Sequence, residues 1–410
     1  MMYKITAPSR GLEDKIALPA SKSISNRALI MGAVGRFDRS IRNLAKCDDT
    51  DVLVRALDSK DNHFDVGAAG TSMRFSTAYL AARPGDWHIT GSERMKQRPI
   101  GVLVEALRAL GAEIEYEENE GFPPLHIRGT QLKGGHIVLD GGVSSQYISA
   151  ILMVAPTMKE GLTLELSGNI VSVPYIRMTL GMMREMGIES KWEGNVIRVK
   201  PQSYVKSDYV VEADWSASSY WYEMAALSEQ CRIQLPYLRE VSFQGDSAVR
   251  RIFEPLGIST RFEGDGILLE RAGKAVERFE YDFIEQPDLA QTLVVTCCAL
   301  DIPFEFSGVQ SLKIKETDRI AALKNECAKF GYLLVEPAEG KLAWRGERCE
   351  AQANPIVETY EDHRMAMAFA PMAMVKGSVL INHPMVVTKS YPEFWEHLKQ
   401  VGFLIEEMND

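Results

Sequence analysis

Residues 101–129 read GVLVEALRALGAEIEYEENEGFPPLHIRG. Gly101–Leu110 has the apolar spacing of an amphipathic helix. Gly111 follows as the left-handed residue that ends such a helix. The remainder alternates and breaks at Glu-Gly, the pattern of a β-hairpin. The same sentence is written again along the chain. It recurs at Arg177–Met186, Gly187 and IESKWEGNVIRVK, then at Ala248–Leu256, Gly257 and ISTRFEGDGILLER. It recurs at Asp318–Phe330, Gly331 and YLLVEPAEGKLAWRG, and a last copy, Pro392–Val401 and Gly402-Phe403-Leu404-Ile405, runs out at the end of the sequence. The glycines stand 70 to 76 residues apart. A fixed period of this size marks an internal structural repeat.

A second element lies between these copies: a polar loop feeding a helix that is apolar on nearly every side. The segments are SKSISNRALIMGAV from Ser21, AGTSMRFSTAYLAA from Ala69, SSQYISAILMVAP from Ser144, DWSASSYWYEMAAL from Asp214, PDLAQTLVVTCCAL from Pro287 and DHRMAMAFAPMAMV from Asp362. A helix apolar all round is a buried helix, and each begins with residues suited to a helix N-terminus. The sequence therefore holds six units. In the first, the amphipathic helix Asp51–Leu57 is followed only by the short stretch Asp58–Val66, so that unit is truncated. Six units suggest two α/β domains of three units each, with a break near Glu212–Asp214. The N-terminal strand residues, Tyr3–Ala7 and Lys15–Leu18, could pair with either half.

The chain has 410 residues, 46 Lys and Arg against 56 Asp and Glu, and a formal net charge of -10. Hydrophobic residues make up 46%, which excludes a fibrous or disordered chain. So acidic a chain is a poor partner for nucleic acid. No apolar run follows Met1 and no stretch is long enough to span a membrane, so a cytoplasmic protein is expected. The six cysteines include no C-x-x-C pair and read as reduced core thiols. The seven histidines include no H-E-x-x-H and none at zinc spacing with cysteines, so no metal is expected.

The basic residues are not spread evenly. Lys22, Arg27, Arg74 and Arg364 lie at the starts of buried helices. Arg94, Lys96 and Arg98 share the loop Gly91–Pro99, Lys315 and Arg319 flank an amphipathic helix start, and Lys389 precedes Pro392. Helix N-termini offer unpaired N–H groups and a partial positive charge. Arginine adds bidentate recognition of carboxylate and phosphate. The pattern suits small anions. Taken singly, each segment has a plainer reading. SKSISNR and Ser144-Ser145-Gln146 could be capping clusters, Ala69-Gly70-Thr71 a turn, Arg94 and Lys96 surface charge. Lys315–Arg319 could be a cap on Thr317 or Asp318 with surface ion pairs, and His363 a cap-region histidine. Asp288 is either an N-cap or a carboxylate aimed at the anion site. Arg364 is harder to read plainly, because an arginine entering an apolar helix must find an anion.

In order, LPASKSISNRALIMGA, AGTSMR, RMKQRPIGVLVEAL, SSQYISAILM, VSVPYIRMTLGMM, PDLAQTL, KIKETDRIAAL, YEDHRMAMAF and KSYPEFW resemble the motifs of the 5-enolpyruvylshikimate-3-phosphate synthase family. The resemblance covers essentially the whole chain. It implies two similar domains, each of three βαβαββ units around parallel buried helices (an inside-out barrel), with an active site in the cleft between them. It implies one domain of 1–19 with 214–410 and an inserted domain of 20–213. It also implies transfer of the enolpyruvyl group of phosphoenolpyruvate to the 5-hydroxyl of shikimate 3-phosphate.

By resemblance, Lys22, Ser23 and Arg27 contact shikimate 3-phosphate. Ser144, Ser145, Gln146, Ser172 and Tyr175 cradle its phosphate and ring hydroxyls, with Asp288, Ser311 and Lys315 from the other domain. Phosphoenolpyruvate is held by Lys22, Gly70, Arg98, Gln146, Arg319, Arg364 and Lys389. Asp288 takes the proton of the attacking hydroxyl, and Glu316, with Lys22, serves proton transfer at the methylene carbon. Such chemistry needs acid/base groups on two sides of the reacting carbon and positive charge around phosphate and carboxylate. Neither a metal nor an organic cofactor is called for, and a monomer acting on small anions is expected.

The chain departs from the family pattern in places. Ala68 stands where an Asn is usual, Ser311 where an Asn is expected, Trp215 replaces a small residue, and Asp58–Gly67 is short. The rival family transfers enolpyruvate to UDP-N-acetylglucosamine and carries a reactive cysteine in the loop matching Gly91–Pro99. Here that loop, GSERMKQRP, has none. A non-catalytic anion-binding relative would not need both Asp288 and Glu316.

Overall fold

The computed structural model describes residues 1–37, 40–59, 61–205 and 208–408. The chain divides into two compact units, Ala20–Val211 and Met1–Pro19 with Glu212–Asp410.

In the unit Ala20–Val211, strand His63–Asp65 leads into helix Gly70–Ala81 and returns as Gly85–Thr90, parallel to the first. Helix Gly101–Ala109 follows, then the hairpin Glu113–Tyr116 and Leu125–Gly129, whose second strand pairs antiparallel with Gly85–Thr90. The next unit repeats this with strands Gly135–Asp140 and Leu162–Ser167, helices Ser145–Val154 and Val173–Glu185, and hairpin Ser190–Glu193 and Val196–Val199. Right-handed crossovers through a helix are the ordinary way to place strands in parallel. The first unit has its buried helix Lys22–Gly35 and its amphipathic helix Asp48–Asp58, but no hairpin among the described residues. Lys60, within the short segment noted above, lies outside them. The three buried helices, Lys22–Gly35, Gly70–Ala81 and Ser145–Val154, pack on one another.

The unit formed by 1–19 and 212–410 uses the N-terminal residues twice. Leu12–Lys15 pairs parallel with Cys231–Pro236 and supplies the leading strand of the fourth repeat. Met2–Thr6 lies between Ser378–Asn382 and Leu404–Met408, antiparallel to both, and supplies the strand that the sixth repeat lacks. The last copy runs out in sequence but not in space. Its core is built from helices Trp215–Leu227, Ala290–Ala299 and His363–Phe369, with Trp215, Trp221, Tyr220 and Tyr222 essentially fully buried. Burying such side chains contributes on the order of 1.5–3 kcal/mol each. The Trp215 indole N–H is buried without a hydrogen-bond partner among the described residues.

All five repeat glycines, Gly111, Gly187, Gly257, Gly331 and Gly402, have positive φ, from 83° to 100°. Each glycine N–H donates to the carbonyl three residues back, and the next N–H to the carbonyl five back, at 2.9–3.2 Å. This is the Schellman arrangement, which satisfies two otherwise unpaired carbonyls. The following residue, Ala112, Ile188, Ile258, Tyr332 or Phe403, is buried in every case and pins the helix end to the core.

Some sequence expectations shrink. Ala248–Leu256 is helical only over Val249–Ile252, after the 3-10 turn Gly245–Ala248, because Pro255 cannot continue a helix. The hairpin after Gly331 is reduced to Leu342–Trp344 and the isolated bridges Tyr332↔Arg348 and Val335↔Ala343. All six cysteines are free. No helix among the described residues is long and apolar enough to cross a membrane.

Candidate active site

Within Ala20–Val211 the named residues gather at helix starts. Ser21 caps Lys22–Gly35, its hydroxyl accepting from the Ile24 N–H at 3.5 Å. Lys22, just inside the helix, pairs through Nζ with Asp49 Oδ2 at 3.1 Å. Asp49 lies in the first turn of helix Asp48–Asp58 and was not singled out by the sequence. Arg27, one turn further on, is buried. Its Nε donates to Thr179 Oγ1 at 2.8 Å, Nη1 to the Ser23 carbonyl at 3.0 Å and Nη2 to Ser149 Oγ at 3.1 Å. Its guanidinium faces the Phe75 and Tyr175 rings at 5.3 and 5.9 Å. None of these partners is a carboxylate. Burial lowers the Arg27 pKa to about 10, with Tyr175 opposing, so the cation persists at neutral pH. A buried cation held, among the described residues, only by neutral groups is an incomplete ion pair, a setting that suits an anion.

Helix Gly70–Ala81 begins at Ala69 with no side-chain cap, so its first N–H groups are open to a ligand. Gly70 permits a close approach: a Cβ there would lie 2.5–2.8 Å from the Arg98 guanidinium atoms, which would have to shift. Arg74, buried in the same helix, donates to the Gly70 and Pro99 carbonyls at 3.0 and 3.2 Å. It thereby ties the loop carrying Arg98 to the helix start. Arg94 and Lys96 do not share this setting. Lys96 pairs with Glu93 and Glu118 at 3.3 and 2.9 Å, and Arg94 reaches Gln97. Ala68 is exposed.

Ser144 caps helix Ser145–Val154, accepting from the Gln146 N–H at 3.3 Å. Gln146 Nε2 donates to Thr71 Oγ1 at 3.1 Å, joining two helix starts. Ser145 and Ser172 are buried. Ser172 takes φ 53° and precedes helix Val173–Glu185 without capping it by its side chain.

In the other unit, the carboxylate of Asp288, in the 3-10 turn Pro287–Leu289, meets three cations: Lys315 Nζ at 3.6 Å, Arg319 Nη1 at 3.2 Å and Arg364 Nη2 at 3.2 Å. Arg319 is 1% exposed. Its Nε donates to Asp362 Oδ2 at 2.7 Å and its Nη2 to Glu316 Oε2 at 2.8 Å. Burial disfavours its charge, but Asp362, Glu316 and Asp288 outweigh that and raise its pKa. Asp318, not Thr317, caps helix Arg319–Lys329. Asp362 caps His363–Phe369 through the Arg364 N–H at 2.9 Å while anchoring Arg319. The preceding Tyr360 and Glu361 both have positive φ, 52° and 56°. Such backbone costs about 1–3 kcal/mol per residue and collects at functional sites. Here it turns the Glu361 carbonyl to Lys389 Nζ at 2.7 Å. Ser311 lies in the turn Gln310–Ile314 and makes no side-chain hydrogen bond among the described residues.

Sequence reasoning missed Asp246. It is buried in the turn Gly245–Ala248 and accepts a short hydrogen bond from Ser216. Burial and the neighbouring Asp288 carboxylate raise its pKa to about 7, against the pull of Arg364 and Ser216. GDSA carries no motif, and only the fold brings it to Asp288.

The EPSP synthase (3-phosphoshikimate 1-carboxyvinyltransferase) family model matches residues 6–59 and 57–398. A 3-phosphoshikimate 1-carboxyvinyltransferase of Bacteroides fragilis (strain YCH46) is 54% identical over 407 residues, covering 99% of each chain. That of Vibrio campbellii is 32% identical, covering 96% of this chain and 98% of its own. A solved EPSP synthase from Acinetobacter baumannii matches with TM-score 0.78 at 20% identity, over 99% of this chain and 100% of its own, which establishes the fold. With near-complete coverage by the family model and by relatives this similar, the chain belongs to the EPSP synthase (3-phosphoshikimate 1-carboxyvinyltransferase) family.

Proposed function

We infer that this chain transfers the enolpyruvyl group of phosphoenolpyruvate to the 5-hydroxyl of shikimate 3-phosphate and releases inorganic phosphate, a step of aromatic amino acid biosynthesis. The observation that carries it is the 54% identity to a 3-phosphoshikimate 1-carboxyvinyltransferase across 99% of both chains.

The residue roles follow from charge and placement. Arg27, buried and lacking a carboxylate partner, takes the phosphate of shikimate 3-phosphate together with Lys22 and Ser23. Ser144, Ser145, Gln146, Ser172 and Tyr175 orient the ring and phosphate, with Ser311 and Lys315. Gly70 leaves room for Arg98 beside an uncapped helix start, a setting suited to the phosphate of phosphoenolpyruvate. Arg319, Arg364 and Lys389, with Lys22 and Gln146, hold its other anionic groups.

The 5-hydroxyl oxygen adds to C2 of phosphoenolpyruvate, Asp288 takes its proton, and C3 gains a proton to become a methyl group. The resulting tetrahedral species expels phosphate, C3 loses a proton, and the methylene is restored. Glu316, held by Arg319 at 2.8 Å, handles the C3 proton with Lys22. Arg319 and Arg364 stabilise the shifting negative charge. The chain acts as a cytoplasmic monomer on free small anions.

Phosphate release with phosphoenolpyruvate and shikimate 3-phosphate tests the assignment, with UDP-N-acetylglucosamine as the control acceptor. Release is expected with the first acceptor only. Release with the second alone would overturn the reading.

A further inference from the structure

On the sheet of strands His63–Asp65, Gly85–Thr90, Leu125–Gly129 and Glu113–Tyr116, the register places His63 opposite His88, His88 opposite His126, and His126 opposite Glu115. Three of the chain's seven histidines thus form one row across the sheet. Their strand neighbours Phe64, Ile89, Leu125 and Ile127 are buried, so the row stands on the opposite, solvent-side face. The rings are stacked: His63 on His88 at 4.6 Å and His88 on His126 at 4.5 Å, 10° and 13° from parallel.

Asp86, two residues before His88 on the same face, brings its Oδ1 to 2.6 Å from His126 Nε2 and 3.9 Å from His88 Nε2. One ligand atom from each of these three side chains lies within 4.8 Å of the others. The remaining ring nitrogens each face a carboxylate, one in contact and one beyond hydrogen-bond reach. His88 Nδ1 makes a short contact with Glu117 Oε1, and His126 Nδ1 lies 3.8 Å from Glu115 Oε2. Ligating histidines are commonly oriented this way, with a carboxylate on the nitrogen that does not bind the metal. Two imidazoles and one carboxylate are a donor set for borderline divalent ions such as Zn²⁺, Co²⁺ or Ni²⁺.

We propose that Asp86 Oδ1, His88 Nε2 and His126 Nε2 bind one divalent transition-metal ion on this face, with Glu117 and Glu115 orienting the two imidazoles and His63 backing the stack. Binding replaces the Asp86–His126 hydrogen bond with metal–ligand bonds from Asp86 Oδ1 and His126 Nε2 beside that from His88 Nε2, the His126 Nε2 proton passing to Nδ1 or to solvent, and leaves water in the other positions. The zinc spacings sought in sequence are local motifs. This set joins residues 86, 88 and 126 only through strand pairing. It shares no residue with the transfer site, so it stands whether or not the functional assignment does.

Isothermal titration of the full chain with Zn²⁺ and with Ni²⁺ at neutral pH tests the proposal. One saturable equivalent is expected. His126→Ala should weaken it at least tenfold, and Glu117→Gln by about tenfold, as expected when an orienting carboxylate is lost. His136→Ala, which removes a histidine near Glu165 at 3.4 Å on another sheet, should leave it unchanged. Paramagnetic Co²⁺ should broaden the His88 and His126 ring signals before that of His136. The two carboxamide variants His88→Gln and Glu117→Gln keep the proposal testable should His126→Ala unfold. No saturable equivalent in the wild type, or equal affinity in His126→Ala, His88→Gln and the wild type, would overturn the proposal.

Discussion

Asp288 and Asp246 are neighbouring carboxyl groups in very different surroundings. Asp288 faces Lys315, Arg319 and Arg364, whereas Asp246 is buried beside Ser216 and is pushed up to about 7. Asp288→Ala should abolish turnover while leaving shikimate 3-phosphate binding largely intact; near-normal kcat would reject its role as base. Asp246 supplies a pH test. Its proton is kept in the folded protein but released by the unfolded chain between the ordinary carboxylate range, about 4, and about 7. Stability from this group is therefore full below that window and lost as pH rises through it. In Asp246→Asn, denaturant midpoints should depend less on pH across this window than in the wild type. An unchanged pH slope would contradict the assignment. Gly70→Ala places a methyl against the Arg98 guanidinium at 2.5–2.8 Å and should raise KM for phosphoenolpyruvate at least tenfold. An unaltered KM would show that Arg98 moves aside without cost.

At the scale of elements, the buried arginines set what each helix start must do. Asp362 caps one helix and anchors Arg319 from another. Asp362→Ala should lower stability by about 3–5 kcal/mol, because it leaves a buried cation short of its main partner. Urea denaturation reads this directly, and a loss below about 1 kcal/mol, the scale of an exposed pair, would contradict the network. The helices were legible in sequence because their signals are local. Uniform apolarity marked the buried ones, and the Schellman glycines marked the ends of the amphipathic ones. Lys22, Arg319 and Arg364 could be placed from sequence for the same reason, each lying within two residues of a helix cap. The carboxylates that restrain them were less so. Asp49 looks like any first-turn acid, and Asp246 sits in a turn with no pattern. The length of the helix after Ala248 was misjudged because the apolar period runs on into Pro255 while the backbone cannot.

For the molecule as a whole, the repeat was visible but its closure was not. Met2–Thr6 pairs with residues near position 380 and near position 406, and strand pairing over such distances leaves no trace in local pattern. Deleting residues 1–8 should strip Ser378–Asn382 and Leu404–Met408 of their shared partner, lower the midpoint of thermal unfolding and abolish turnover. A truncated chain that melts like the wild type would show the strand to be dispensable. The net charge of -10 is likewise a property of the whole chain and does not show that Lys22, Arg319 and Arg364 stand at helix starts. The most direct test of enolpyruvyl transfer is an NMR reading of the product formed in D₂O from phosphoenolpyruvate labelled with ¹³C at C3 and shikimate 3-phosphate. Addition and elimination through a C3 methyl group predicts an enolpyruvyl ether on the 5-oxygen with deuterium in its methylene. Unreacted phosphoenolpyruvate, or an ether free of deuterium, would contradict it.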